Sequence, residues 1–257
     1  GEPYGVPRLG NEQITAALHP QLLFEAYQDL ISTSRLEIFY SGSAERSRVE
    51  DALRAALADL PRKDLVPLPE LAPHALPEEP RFITERLDVT QGKLGMGFSC
   101  GSDDAAALLL GNTLFGGSSN SKLFLNVREK LSLCYYASSL FHRQKGLITV
   151  SSGIEFENYQ KACGEILTQL EAVQKGELEA WELEAARSTL LNAYASMGDS
   201  QGKLENFFLG QAATGRDETP EMLAEQIRAV APERIFEAMS TVKLDTVYFL
   251  QGKEAEA

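Results

Sequence analysis

Six of the chain's eleven prolines fall between residues 61 and 80: Pro61, Pro67, Pro69, Pro73, Pro77 and Pro80. Proline lacks an amide proton and fixes φ, so neither a helix interior nor a central strand can run through such a stretch. The sequence is therefore cut in two. Residues 61–80 read as an extended linker and a domain boundary, with residues 1–60 before it and 81–257 after it. A length of 257 residues suffices for one large or two small domains, and 44% hydrophobic content allows a sizeable core.

Before the linker, residues 1–10 are loop-like, with Pro3, Gly5, Pro7 and Gly10. A helical stretch follows to about Leu30, which Pro20 either breaks or reopens as the first turn of a second helix. Leu36, Ile38 and Tyr40 alternate with their neighbours as in a strand, and residues 43–60 carry Val49, Leu53, Ala56, Leu57 and Leu60 at helical spacing. After the linker, residues 82–89 and 92–100 have strand character. Ser102 or Asp103 is placed to cap a helix running to Leu114. Residues 133–141 and 147–154 read as a strand pair joined around Lys145-Gly146. Phe156 to Val173 has a helical apolar stripe stopped by Gly176, and further helices cover about 178–197 and 203–214. Thr219-Pro220 opens another helix, and Val247 and Phe249 mark a final strand closed by Gly252.

Two segments repeat. Pro20-Gln-Leu-Leu-Phe-Glu-Ala-Tyr27 matches Pro232-Glu-Arg-Ile-Phe-Glu-Ala-Met239 without a gap. Each leads to a basic-Leu-acidic triplet (Arg35-Leu36-Glu37 and Lys243-Leu244-Asp245), then an aromatic strand and a glycine. If the chain holds two copies of one domain, the sequence enters near the end of the first copy. Residues 1–60 are then the C-terminal tail of a preceding homologous domain, most of which lies upstream of Gly1.

The densest local pattern is LFGGSSNSKLFLNVREKLSLCYY, residues 114–136. A Gly-Gly-Ser-Ser-Asn-Ser loop precedes a short amphipathic helix with Leu123, Phe124, Val127 and Leu131 on one side. Arg128 lies at the border of that stripe, one turn after Phe124. Tyr135 falls in the strand that follows, and a turn at Ser132 would bring the two side chains near each other. The loop does not end in the Lys-Ser/Thr of a phosphate-binding loop, so it reads as a structural turn rather than an anion site.

Taken together, Gly116, Gly117, Ser121, Lys122, Leu123, Phe124, Arg128, Glu129, Lys130, Leu133, Cys134 and Tyr135 resemble the pitrilysin-type zinc metallopeptidases. That family includes insulin-degrading enzyme and the mitochondrial processing peptidases, and the resemblance is to its second, zinc-free domain. It extends over residues 80–257, with residues 1–60 as a domain tail. Leu131-Ser132 departs from the pattern, where Arg-Gly is more usual. The resemblance implies an α+β fold, a mostly antiparallel sheet with helices packed on one face. It also implies that Arg128 and Tyr135 bind the substrate peptide. A guanidinium offers five donors for peptide carbonyls. A phenol can donate to a backbone carbonyl or to a developing oxyanion. Without the resemblance, Arg128 would read as the partner of a nearby surface acid and Tyr135 as a strand core residue.

The family's zinc motif is His-x-x-Glu-His, in which two imidazoles bind the metal and the glutamate activates water. The chain's three histidines are His19, His74 and His142, and no two lie within five residues. The motif is absent, no metal or cofactor is expected in this chain, and the chain alone should not hydrolyse peptides. Any zinc would come from a missing domain or a partner. The expected partners are a peptide or unfolded polypeptide and a homologous zinc-bearing domain or subunit, in a homo- or hetero-dimer. The alternative is a non-enzymatic scaffold or regulatory subunit paired with an active homologue. Glu177, Glu179, Glu182 and Glu184 read as a solvated helix face.

A net charge of −13 and a pI near 4.8 argue against nucleic acid and anionic membrane surfaces. No apolar run of 18 residues suggests a transmembrane helix. No signal peptide opens the sequence. Cys100, Cys134 and Cys163 match no zinc or redox spacing and read as free, mostly buried thiols, as expected of a cytoplasmic protein.

Overall fold

The computed structural model describes residues 5–7, 9–67 and 75–253. The middle of the proline-rich stretch, with Pro69, Pro73 and His74, lies outside the described residues. The chain forms two compact units. One runs to Glu70 and includes Gln201–Arg216; the other comprises Leu71–Ser200 and Asp217–Ala257.

The first unit is helical. The short helix α1 (Glu12–Ala17) is capped by Asn11, whose side chain accepts from the Ile14 amide. Helix α2 (Pro20–Thr33) has proline at its first turn, and His19 caps it by accepting from the Leu22 amide at Nδ1. Helix α3 (Arg46–Leu57) follows. The backbone after it returns along the end of α2, where the Lys63 and Val66 amides donate to the Ser32 and Thr33 carbonyls at 2.9 and 2.8 Å. Residues 36–40 form no strand, contrary to their alternating pattern. A strand needs a ladder partner, and the described residues of this unit supply none. Leu36, Ile38 and Tyr40 are about half exposed.

The second unit is α+β. Strand β1 (Arg81–Leu87) and strand β2 (Gly92–Ser99) precede helix α4 (Ala105–Phe115), which is capped by Asp104, one residue past the expected cap. An eight-residue π-helix, Leu123–Lys130, leads into strand β3 (Cys134–His142) and strand β4 (Leu147–Ile154). Helices α5 (Tyr159–Gln174) and α6 (Ala180–Ala195) follow. Gly176 after α5 has φ 71°, the left-handed position that ends a helix. Helix α7 (Gln201–Thr214) belongs to the first unit, where its Phe208 stacks on Phe39 at 6.0 Å. Helices α8 (Pro220–Arg228) and α9 (Pro232–Ser240) and strand β5 (Lys243–Gly252) follow, and short 3-10 turns lie at Phe156–Asn158 and Met197–Asp199.

The sheet order is β1-β5-β2-β4-β3. Only the β1–β5 pair is parallel, so the sheet is mostly antiparallel, as expected. Alternate residues of the central strands point into one core. Leu94, Met96 and Phe98 of β2, Ile148 and Val150 of β4, and Val247 and Phe249 of β5 are buried there. The same core takes Leu108 and Leu110 of α4, Ile166 of α5 and Ile235 of α9. Helices α4 and α9 cross at Gly111, where a Cβ would lie 2.5 Å from the Met239 side chain.

The repeated segments both fold as helices with proline at the first turn, α2 and α9. Their environments are opposite. Ile235 and Met239 are fully buried, while the aligned Leu23 and Tyr27 are 59% and 54% exposed. After α9 the chain enters the sheet as β5; after α2 it stays extended and unpaired in strand terms.

Candidate functional site

Helix α4 ends in the glycine pair of the central pattern. The Gly116 and Gly117 amides both donate to the Asn112 carbonyl at 2.9 Å. Gly116 then returns its own carbonyl to the Ser139 amide, 2.8 Å away, on the outer edge of β3. A Cβ at Gly116 would lie 2.7 Å from Leu123 Cδ1 and 2.8 Å from the Ser139 nitrogen. Its φ of −154° is open to any residue, so the glycine is required by this close approach.

The segment after the loop is wound as a π-helix, with the Leu131 amide bonded to the Asn126 carbonyl five residues back. Leu123 and Val127 are fully buried, as their spacing predicts. Leu131 is not part of the stripe. It lies past the last helical residue and is 45% exposed. Lys122 and Ser121, at the helix entrance, are buried. The Lys122 ammonium pairs with Glu182 of α6, which also accepts from the Glu179 amide as part of a capping box. Glu182 therefore does not belong to a solvated face, unlike the exposed Glu177, Glu179 and Glu184.

Arg128 projects from the last turn of the π-helix. Its Nε donates to the Tyr135 carbonyl at 3.0 Å, and its Nη1 lies 3.1 Å from Glu129 Oε1. The guanidinium carbon sits 4.7 Å from the centre of the Phe124 ring. The turn between helix and strand passes through Ser132 with φ 49°, a left-handed conformation that a glycine adopts freely. In β3, Cys134 pairs with Ile154 and Tyr136 with Gly153, so Tyr135 is the extra residue of a β-bulge. The bulge turns the Tyr135 side chain outward, and 55% of the residue is exposed. Its hydroxyl donates to Glu155 Oε1, just past the end of β4. That hydrogen bond first, and the carboxylate charge second, hold the phenol pKa above its ordinary value.

Arg128 and Tyr135, singled out from the sequence, are thus brought together. Both line two open clefts, of about 470 and 390 Å³. Glu155, Glu129 and Asn158 contribute to the first; residues 116–119, Phe124 and Ala137 contribute to the second. Cys134 also faces the first cleft, with its thiol pushed up by burial and pulled back by a Ser152 hydrogen bond and the Arg128 charge. Glu155 was not legible as a partner of Tyr135. Twenty residues separate them, and no sequence spacing announces a contact made by strand pairing and a bulge.

The two described histidines each have a hydrogen-bond partner of their own. His19 caps α2, and His142 Nε2 lies 3.0 Å from the Thr149 hydroxyl between neighbouring strands. Among the described residues, no group of three or more His, Cys, Asp or Glu side chains could hold a metal ion. No described helix is long and apolar enough to cross a membrane.

Residues 17–190 match the family described as the peptidase M16 inactive domain. A Bacillus subtilis protein, "Probable inactive metalloprotease YmfF", is 32% identical over 98% of this chain, which spans 60% of that relative. A second B. subtilis protein, "Uncharacterized zinc protease YmxG", is 23% identical over 90% of the chain, which spans 57% of it. Among solved structures, a conserved protein from Enterococcus faecalis V583 superposes with a TM-score of 0.84 and 27% identity over 98% of this chain and 60% of its own. A peptidase M16 inactive domain from Pseudomonas fluorescens shares the fold with a TM-score of 0.65 and 19% identity, over 83% of this chain and 53% of its own.

Proposed function

The chain belongs to the peptidase M16 family, the pitrilysin-type metallopeptidases, as an inactive domain of it, and on that premise we propose that it binds and positions an extended peptide for a zinc site carried elsewhere. The observation that carries this reading is the exposed Arg128–Tyr135 pair at the junction of two clefts. Tyr135 stands at the bulge of an edge strand, with 55% of the residue exposed. Arg128 is held by the Tyr135 carbonyl at Nε and by Glu129 at Nη1, and it lines both clefts. Held in this way, the two side chains fix a peptide's position before any chemistry occurs.

In this proposal the zinc site lies on a homologous domain or on a partner chain. The exposed apolar residues of α2 support the first arrangement. Leu23 and Tyr27 lack the cover that the aligned Ile235 and Met239 have, as expected if residues 1–60 finish a preceding domain of the same fold. The chain spans about 60% of the relatives it matches, which agrees with that organisation.

The second reading is a scaffold or regulatory subunit beside an active homologue. It is favoured by the name of the 32% identical relative, an inactive metalloprotease, and by the presence in the same organism of a relative named as a zinc protease. The three free thiols suit a reducing, cytoplasmic setting in either case.

The test is binding of an unfolded polypeptide, reduced and carboxymethylated lactalbumin, to the natural protein and to its Arg128→Ala and Tyr135→Phe variants. Weaker binding by both variants supports peptide handling; equal affinity in all three would leave the scaffold reading. Zinc content of the same untagged preparation separates the two locations of the metal. About one zinc per chain, the single-site stoichiometry of such enzymes, puts it on the same polypeptide. None assigns it to a partner.

A further inference from the structure

We infer that Glu155 is a positioning residue of the peptide site, and that by accepting the hydrogen bond of the Tyr135 hydroxyl it leaves this phenol to act as an acceptor for a peptide N–H. The inference rests on the peptide-binding reading above and names what each side chain reads.

Tyr135 is an exposed side chain on a bulged edge strand, and left alone it would rotate freely. It is tied at both ends instead. Its carbonyl accepts from Arg128 Nε, and its hydroxyl donates to the Glu155 carboxylate. Glu155 is placed by the end of β4 and the start of the short helix Phe156–Asn158, an element independent of the one that carries Arg128. The phenol has one proton to donate, and a carboxylate is the stronger claimant on it. The raised pKa of the Tyr135 hydroxyl agrees with that commitment. What the phenol oxygen still offers is a lone pair, made more basic by the bond to the anion.

The site then carries opposite polarities on adjacent groups. Arg128 has only donors, so it takes a peptide carbonyl; Tyr135 takes a peptide N–H. An extended peptide presents both groups along one edge, whatever its side chains are. The ligand class is therefore the backbone of an unfolded segment with an unmethylated amide at one fixed position. A donor role of Tyr135 toward a carbonyl would require Glu155 to let go first.

The experiment uses the natural protein and a fluorescein-labelled synthetic alanine–threonine–lysine peptide. In a matched series, each central amide is replaced in turn by an ester, which removes one N–H. One ester position should weaken binding about 3–10-fold, the value of a single hydrogen bond. In Tyr135→Phe that position should cost nothing further. Glu155→Ala should weaken the all-amide peptide about as much as Tyr135→Phe, with no added loss in the double variant, and Glu155→Gln, which keeps an acceptor, should restore most of it. A merely structural role would not give this cycle or this rescue. Additive losses from Glu155→Ala and Tyr135→Phe, or an ester scan identical in wild type and Tyr135→Phe, overturn the inference while Arg128→Ala still weakens binding. If Arg128→Ala and Tyr135→Phe leave affinity unchanged, the peptide-binding reading itself fails, and the inference falls with it.

Discussion

The Lys122 ammonium lies 3.0 and 3.1 Å from the two carboxylate oxygens of Glu182, sixty residues later in the chain, and both residues are buried. The pair ties the entrance of the π-helix to the start of α6. Removing one partner leaves the other charge buried without its counter-ion. Lys122→Met should therefore cost about 3–5 kcal/mol, the usual loss on breaking a buried pair. Glu182→Gln keeps an acceptor for the Glu179 amide and should cost less. Urea unfolding of both variants checks this, and losses below about 1 kcal/mol would mean that the pair behaves as a solvated one.

Gly116→Ala should destabilise the second unit by about 1–3 kcal/mol, the range for overpacking a tight site. The added methyl meets backbone at Ser139 as well as the Leu123 side chain, so a rotamer change alone cannot relieve it. Faster hydrogen exchange at the Ser139 amide should accompany the loss, because its acceptor is the Gly116 carbonyl. A protected Ser139 amide in the variant would contradict this account.

Ser132 holds a left-handed backbone where the family pattern more often has glycine. The conformation costs a residue with a Cβ about 1–2 kcal/mol. Glycine gives back part of the gain through its freer unfolded chain, so Ser132→Gly should stabilise by about 0.5 kcal/mol. Ser132→Val should lose about 1–2 kcal/mol, since a β-branched side chain fits this region poorly. The order Gly, Ser, Val in denaturation midpoint is the expected result; equal midpoints for Ser and Val would argue against the turn as described.

Burial pushes the Cys100 thiol up to about 12 and the Cys163 thiol up to about 11. An unfolded cysteine loses its proton near 8.5. The folded state thus holds these protons more tightly, and its advantage is complete below about pH 8.5 and lost as pH rises through the folded values. Unfolding free energy should fall between pH 8.5 and pH 11, and Cys100→Ala should flatten part of that slope. Alkylation by iodoacetamide at pH 8 should leave Cys100 the slowest thiol in the native chain. Rapid native labelling of Cys100 would refute its assignment as a buried thiol.

The elements of the second unit were legible because their signals are local. Thr219-Pro220 marked the start of α8, and alternation over 92–100 and 147–154 marked two central strands. Residues 36–40 carry the same alternation and form no strand, because a strand is made by its neighbour and the neighbour is not in the pattern. Arg128 and Tyr135, seven residues apart, could be paired across a short turn at Ser132. Glu155 and Glu182 could not, since their partners are reached through sheet pairing and helix packing. Glu182 also shows how an acidic run misleads. Four glutamates share one stretch, and only the fold decides that one of them turns inward to Lys122.

The position of β5 in the sheet sets an order of events during synthesis. It is the last of the described strands to leave the ribosome, yet it sits between β1 and β2. Among the described strands β1 pairs with β5 alone, and Arg81 waits 165 residues for its partner Thr246. The antiparallel β2–β4–β3 portion can assemble beforehand from nearer segments. Until β5 has docked, β1 has no strand partner among the described strands, and its Phe82 and Ile83 are open to mispairing. Among the described strands, β1 can therefore join the sheet only after β5, the latest made of them, has docked on β2.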